Sequence, residues 1–82
     1  MGVVRYFAGA RAAAGTPEEP VEVTAGTTVH NLLEQLTERH GQGLAKVLSA
    51  SSFLLDGVAV RNRDVTLHDA FVLDVLPPFA GG

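Results

Sequence analysis

The segment from Thr28 to Gly41 constrains the fold most, because it predicts one well-bounded amphipathic helix. Thr28 stands at the N-cap position, where its hydroxyl can accept a hydrogen bond from a backbone N–H of the first turn. Arg39 and His40 lie in the last turn, where positive charge is favourable, and Gly41 follows at a position typical of a helix end. Four apolar residues have the i, i+3, i+4, i+7 spacing of a single helix face: Val29, Leu32, Leu33 and Leu36.

Short apolar segments predict strands before this helix. Residues 3–8 are rich in β-branched and aromatic side chains and predict a first strand. Residues 21–24 alternate apolar and polar side chains and predict a second strand, antiparallel to the first. The stretch from Gly9 to Glu19 is expected to be a loop, in which Ala12-Ala13-Ala14 could add a helical turn.

The remaining predicted elements follow the main helix. Three apolar residues suggest a further short helix: Leu44, Val47 and Leu48. The apolar segments 53–55 and 58–60 flank Asp56-Gly57, which is typical of a β-hairpin because both turn positions tolerate positive φ. Residues 65–67 predict a short edge strand and residues 71–76 the last strand, which two prolines end because they offer no N–H to a sheet. The order ββαβ(β)β is that of an α+β protein.

Composition limits the classes of function. With 82 residues, of which 46% are hydrophobic and 18% charged, the chain predicts a single small domain with a packed core. The absence of cysteine excludes disulfides, zinc–thiolate sites and a thiol nucleophile. A net charge of −3 without a basic run argues against nucleic acid. The chain shows neither a signal peptide nor an apolar stretch near the roughly 20 residues of a membrane span, so a cytoplasmic location without membrane contact is expected.

The polar side chains give no self-contained active site. The three histidines lie too far apart for metal-ligand spacing, so no metal site is predicted: His30, His40 and His68. The polar face of the main helix is expected to be solvated: His30, Glu34, Gln35 and Glu38. Three aspartates recur every five residues, a spacing that fits neither a helix nor a strand face, and are interpreted as loop and surface groups: Asp64, Asp69 and Asp74.

The final Gly81-Gly82 is the feature that points most directly to function. Glycine has no Cβ, so such a tip could enter a narrow channel and present a free carboxylate, although a frayed chain end is the alternative interpretation. A carboxylate can attack the α-phosphate of ATP held by another protein. A sulfur donor can then displace AMP and leave a thiocarboxylate on Gly82, which is a nucleophile that needs no cysteine. The fixed φ angles of Pro77-Pro78 suit the base of such a tail.

Four segments carry a resemblance to a known family: Tyr6-Phe7-Ala8 with Arg11 and Gly15, Thr28-Val29 with Leu32-Leu33 and Leu36, Leu67-His68-Asp69 before Val72, and Pro77-Pro78-Phe79-Ala80-Gly81-Gly82. They resemble the ubiquitin-like β-grasp sulfur carriers, and in particular the small sulfur-carrying subunits of molybdopterin synthase. The chain departs from that pattern at a few positions: Ala12, Asp69-Ala70-Phe71, Leu76 and Phe79. Pro77-Pro78 favours the molybdopterin branch over thiamine-type carriers, whereas carriers for cysteine synthesis can end similarly and are the alternative.

The resemblance implies a fold and a set of site residues. The fold is a β-grasp, with a mixed sheet, one main helix across one face and the last strand parallel to the first. A domain over residues 1–76 would carry a flexible tail over residues 77–82. Gly82 would be the catalytic position, as acyl-adenylate and then thiocarboxylate. Five further tail residues would bind partners: Pro77, Pro78, Phe79, Ala80 and Gly81. No metal or cofactor is expected on this chain, since ATP and Mg²⁺ would be used by the activating partner.

The resemblance also implies partners. A ubiquitin-activating-type adenylating enzyme and a sulfur donor would charge Gly82, and the large subunit of molybdopterin synthase would receive the tail in a heterotetramer. The chain would not be catalytic alone, and its sulfur would pass to a cyclic pyranopterin monophosphate. Two other classes stay open at this point: a ubiquitin-like protein modifier joined to lysine through Gly82, and an interaction module with an incidental tail.

Overall fold

The computed structural model describes residues 1–78. In chain order these residues form β1 (Gly2–Tyr6), α1 (Ala8–Ala14), β2 (Glu18–Val21), α2 (Val29–His40), α3 (Gln42–Ala50), β3 (Ser52–Leu55), β4 (Val58–Ala59) and β5 (Val72–Leu76). The strands form one mixed sheet in the order β2-β1-β5-β3-β4. β5 lies in the middle, parallel to β1 and antiparallel to β3, so the predicted pairing of the first and last strands is confirmed.

Helix α2 has the predicted bounds and the predicted caps. The Asn31 N–H donates to the Thr28 hydroxyl at 3.1 Å, and the Thr28 N–H donates to the Asn31 side-chain oxygen at 3.3 Å, which satisfies backbone donors at both positions. The Gly41 N–H closes the helix on the Thr37 carbonyl at 2.7 Å. The four residues of the apolar stripe are buried, and the four polar residues expected to be solvated are exposed.

One hydrophobic core lies between the helices and one face of the sheet. The strands contribute alternate residues to it, among them Val4, Tyr6, Phe53, Leu73 and Val75. The helices contribute Ala10 from α1, the stripe of α2, and Leu44 and Leu48 from α3. The predicted short helix over Leu44 to Leu48 is therefore confirmed, as is the packing of the main helix across one face. No helix among residues 1–78 is long and apolar enough to cross a membrane.

The prediction of the second strand was wrong in its position. β2 is Glu18–Val21, rather than residues 21–24, and it pairs with β1 from Arg5↔Glu18 to Gly2↔Val21. Glu19 faces the same side of the sheet as the core residue Val4, so a charged residue occupies an inward position of β2. The strand therefore lacks the alternation of apolar and polar residues on which the prediction relied. The Pro20 nitrogen is tolerated because β2 is an edge strand.

The predicted loop between these strands also needs correction. Residues 8–14 form helix α1, β1 ends at Tyr6, and Gly15 ends the helix with φ of 78°. Only Ala10 of α1 is buried, so this helix needs no stripe of large apolar residues, and its sequence has none. Alanine has the highest intrinsic helix propensity, and the alanine-rich composition is the signal that carries this helix.

The Asp56-Gly57 hairpin is confirmed, with φ of 50° at Asp56 and 84° at Gly57. The edge strand predicted at residues 65–67 is wrong, because that segment makes only a single bridge, between Thr66 and Thr28. The segment instead lies beside the first residues of α2, where the Val29 N–H donates to the Val65 carbonyl at 3.0 Å.

Candidate functional site

The base of the C-terminal tail is the first part of the candidate site. β5 ends at Leu76; Pro77 is half-buried and Pro78 is exposed. β5 is bonded on both sides, since Tyr6 is in register with Val75 and Ser52 with Leu76. The chain therefore leaves the sheet from a central, two-sided strand, and this anchors the start of the tail. The other predicted site residues lie outside the described residues: Phe79, Ala80, Gly81 and Gly82.

The corner between β1 and α1 lies at the same end of the sheet, because β1 and β5 are parallel. Phe7 follows Tyr6 directly, and its side chain is exposed. Ala8 adopts φ of 48°, a left-handed conformation that is uncommon for alanine. The corner thus places an exposed aromatic ring at the same end of the sheet as the end of β5.

An ion pair on the face of the sheet away from the core is the second part of the site. Arg5 Nε donates to Asp74 Oδ1 at 2.6 Å, and one Arg5 terminal nitrogen donates to Asp74 Oδ2 at 2.9 Å. Asp74 is only 7% exposed, so its interpretation as a surface group was wrong. The pKa of Arg5 is raised by the hydrogen bonds to Asp74, by the negative charge of Asp74 and by the negative charge of Glu18. The signal available in the sequence was the single charge inside the apolar segment 71–76.

A half-buried polar cluster lies on the core side, where β2 meets the end of α2. Glu19 accepts hydrogen bonds from the Tyr6 hydroxyl at 2.7 Å and from Arg39 at 2.6 Å, and it contacts the His40 ring. Burial opposes ionisation of Glu19, but these bonds outweigh it and hold the pKa of Glu19 below its usual value. Burial, followed by the bond to Glu19, raises the pKa of Tyr6. Sequence reasoning assigned Arg39 and His40 only to the helix end and missed this cluster.

The remaining polar groups of residues 1–78 form neither a metal site nor a nucleophile–base pair. No group of three or more metal-binding side chains comes together in this part of the chain. An open cleft between α2 and α3 contains Ser49 and His30, but Ser49 donates to the Lys46 carbonyl and His30 lies 3.8 Å from Glu34. Asp64, Asp69 and His68 are exposed, as predicted for the two aspartates.

Comparison with known protein families covers nearly the whole chain. A model of the ThiS family matches residues 4–82. The chain belongs to the ThiS family. The molybdopterin synthase sulfur carrier subunit of Chlamydomonas reinhardtii is 34% identical over 80 residues, which cover 96% of this chain and 95% of that relative. The predicted relationship to the sulfur carriers is confirmed.

Solved structures support the same fold. Small archaeal modifier protein 1 from Methanosarcina acetivorans is 28% identical, with a TM-score of 0.82 over 99% of this chain and 95% of its own. A chain in the complex of subunits 1 and 2 of the molybdopterin-converting factor from Helicobacter pylori has a TM-score of 0.72 at 23% identity, over 99% of this chain and 97% of its own. At that identity the second likeness shows the fold alone. Together they place the chain among the ubiquitin-like β-grasp proteins.

Proposed function

We propose that this ThiS-family chain is the sulfur carrier of a molybdopterin synthase and donates sulfur to a pyranopterin precursor of the molybdenum cofactor. The observation that carries the proposal is the 34% identity, over nearly the full length of both chains, to a relative named a molybdopterin synthase sulfur carrier subunit. The anchored base at Leu76 and Pro77 supports it, because a group delivered to a partner's active site is best held by a rigid body.

The chemistry of the carrier takes place on the Gly82 carboxylate. One carboxylate oxygen attacks the α-phosphorus of ATP, pyrophosphate leaves, and an acyl-adenylate forms. A sulfide attacks the acyl carbon, AMP leaves, and Gly82 becomes a thiocarboxylate. The thiocarboxylate sulfur displaces an oxygen substituent, which leaves as water or phosphate, from a side-chain carbon of the pterin. Hydrolysis of the resulting thioester leaves the sulfur on the pterin and returns the carboxylate. This sequence needs no cysteine on the carrier, in agreement with the composition.

Three partner proteins would supply the rest of the reaction. ATP and Mg²⁺ would be held by an adenylating enzyme of the ubiquitin-activating type, and a separate protein would supply the sulfur. The acceptor site would belong to the large subunit of the synthase, which the name of the 34% identical relative, a carrier subunit of a molybdopterin synthase, supports. In the assembly two small subunits would each insert a tail into a large subunit.

The test is charging followed by transfer. The protein ending at Gly82 is incubated with ATP, Mg²⁺, a sulfide donor and the adenylating enzyme, and its intact mass is measured. We expect the mass increase of one oxygen replaced by sulfur, and the loss of that sulfur when the large subunit and the pterin precursor are added. A chain without Gly82 is the control and should stay uncharged while its melting temperature is kept. Full transfer by the truncated chain would contradict the proposal.

A second function is favoured by one comparison. The Methanosarcina acetivorans structure is named a small archaeal modifier protein, so attachment of Gly82 to lysine amines of other proteins is the competing proposal. Both functions share the acyl-adenylate, but their products differ. A modifier gives higher-mass conjugates that thiol reagents do not cleave, whereas a carrier gives the thiocarboxylate of the free chain. The intact-mass experiment therefore separates them.

A further inference from the structure

The Arg5–Asp74 pair lies in the middle of the sheet face that points away from the core. Val4, Tyr6, Leu73 and Val75 point into the core, so their strand neighbours occupy this outer face. The apolar residues around the pair are half-buried rather than covered: Val3, Leu54, Val72 and Leu76. Leu54 is in register with Asp74 from the other side. One ion pair is thus framed by apolar side chains on an accessible surface.

The two members of this pair differ in exposure. The side chain of Asp74 is 9% exposed and that of Arg5 is 47% exposed, so the arginine covers the carboxylate. Both Asp74 oxygens accept from Arg5. A guanidinium has five N–H donors, and among residues 1–78 two of them donate to Asp74 and none to another side chain or carbonyl. Because the Arg5 side chain is 47% exposed, the other three donors are available to a partner on this surface.

The charge of Arg5 is already balanced within the sheet. Asp74 neutralises it directly, and Glu18 stands opposite Arg5 on β2. A partner carboxylate would meet two carboxylates already facing the same cation, which is unfavourable. Neutral oxygen acceptors, such as main-chain carbonyls or side-chain amides, satisfy the three donors without that repulsion.

We propose that Arg5, held by Asp74, determines specificity for the subunit that receives the tail, by donating to neutral carbonyl or amide oxygens on that subunit. This inference rests on the proposed function. Asp74 and Leu76 lie on β5, which leads directly into Pro77, so a protein that takes up the following residues lies against this end of the face. A purely apolar competitor would leave the Arg5 donors unsatisfied, and that penalty discriminates against it.

The experiment measures binding to the large synthase subunit by calorimetric titration. Arg5→Met keeps the length of the side chain and removes the donors. We expect it to weaken binding about 10- to 100-fold, since hydrogen bonds to charged groups have that effect. The matched control is Arg61→Met, an exposed arginine in the loop after β4, which should bind as the wild type does. Equal affinity of Arg5→Met and the wild type would overturn the proposal.

A double variant separates recognition from folding. Arg5→Met alone leaves Asp74 buried without a partner, whereas Arg5→Met with Asp74→Leu replaces the pair by apolar groups, a change that is often neutral for stability. We expect the double variant to melt near the wild type and to bind the large subunit as weakly as Arg5→Met. Wild-type affinity in the double variant would overturn the proposal.

Two further outcomes are distinguishable. Added salt should weaken the wild type and Arg5→Met by the same factor; a steeper salt dependence in the wild type would indicate a partner carboxylate and overturn the assignment to neutral acceptors. If the wild type does not bind the large subunit at all, the proposed function itself fails, and the inference fails with it.

Discussion

Gly2 shows how one residue at the start of a strand is fixed by a distant side chain. A Cβ placed on Gly2 would lie 2.1 Å from the ring of Phe71, which is far below contact distance. Phe71 is 3% exposed and belongs to the core, so moving its ring would disturb the close packing of its neighbours. The Phe71 carbonyl also accepts from the Val3 N–H at 2.9 Å, which holds the two segments together.

We expect Gly2→Ala to lower the free energy of unfolding by about 1–3 kcal/mol, the usual cost of overpacking a core. Urea denaturation measures it. Gly43→Ala is the matched control, because Gly43 lies inside α3 with no atom within 4 Å of the added Cβ. That variant should be more stable by about 0.5–1 kcal/mol, since alanine is the better helix former. A Gly2→Ala protein as stable as the wild type would show that Phe71 can move aside.

At the scale of elements, Glu19 connects β2, β1 and α2. It is the one inward-facing carboxylate of β2, and its bonds to Tyr6 and Arg39 cross from one edge strand to its neighbour and to the helix end. The His40 ring adds a contact to Glu19 and an edge-on contact to Tyr6, with the ring centres 6.0 Å apart. An edge strand with little apolar surface is thus stabilised by ionic hydrogen bonds.

The cluster predicts a dependence of stability on pH. The pKa of Glu19 is lower in the folded protein than its unfolded value of about 4.3, so its stabilisation is complete above that value and is lost as the pH falls through the folded pKa. At neutral pH Glu19→Gln should lower the free energy of unfolding by about 1–3 kcal/mol, and the difference from the wild type should shrink in acid.

Urea denaturation at neutral and acidic pH checks this prediction. Glu22→Gln is the control, because Glu22 is exposed just after β2, and it should follow the wild type at both pH values. A difference between Glu19→Gln and the wild type that stays constant into acid would contradict the ionic origin of the stabilisation.

These elements also show what sequence reasoning could and could not find. Helix α2 was predictable to the residue because its stripe and its caps are local signals. The position of strand β2 was predicted wrongly, because Glu19 occupies an inward position that only its tertiary contacts with α2 explain. Helix α1 has one buried residue and hence no periodicity to detect. Asp74 looked like a surface group because its partner, Arg5, is distant in sequence.

At the scale of the whole molecule, the residues that stabilise the fold differ from those with the proposed function. The core joins the helices to one face of the sheet, and central β5 carries the chain out of that body at Pro77. The order of elements and the tail motif sufficed to predict the α+β class, and the family resemblance supplied the parallel pairing of β1 with β5, which is confirmed. The ion pair on the outer face could not be predicted, because Arg5 and Asp74 lie 69 residues apart in the sequence and meet only through the pairing of β1 with β5.

This separation predicts that a tail variant loses function without losing stability. Gly81 is the proposed position of closest passage through a partner's channel, and valine there adds a branched side chain and restricts the backbone. We expect Gly81→Val to melt within about 2 °C of the wild type, because a change of about 0.3 kcal/mol moves the midpoint of a domain this small by only about 1–2 °C. Charging with sulfur and its transfer should both be strongly reduced.

The decisive comparison is with Gly81→Ala, which adds a single methyl group without branching. It should retain part of the transfer rate, so that activity falls in the order glycine, alanine, valine as the side chain grows. Single-turnover transfer, followed by intact mass, gives the rate for each variant, and gel filtration with the large subunit shows that the body still binds. Equal rates for glycine and valine would mean that no narrow channel encloses this residue, and the role of the paired glycines would then have to lie in the adenylation step alone.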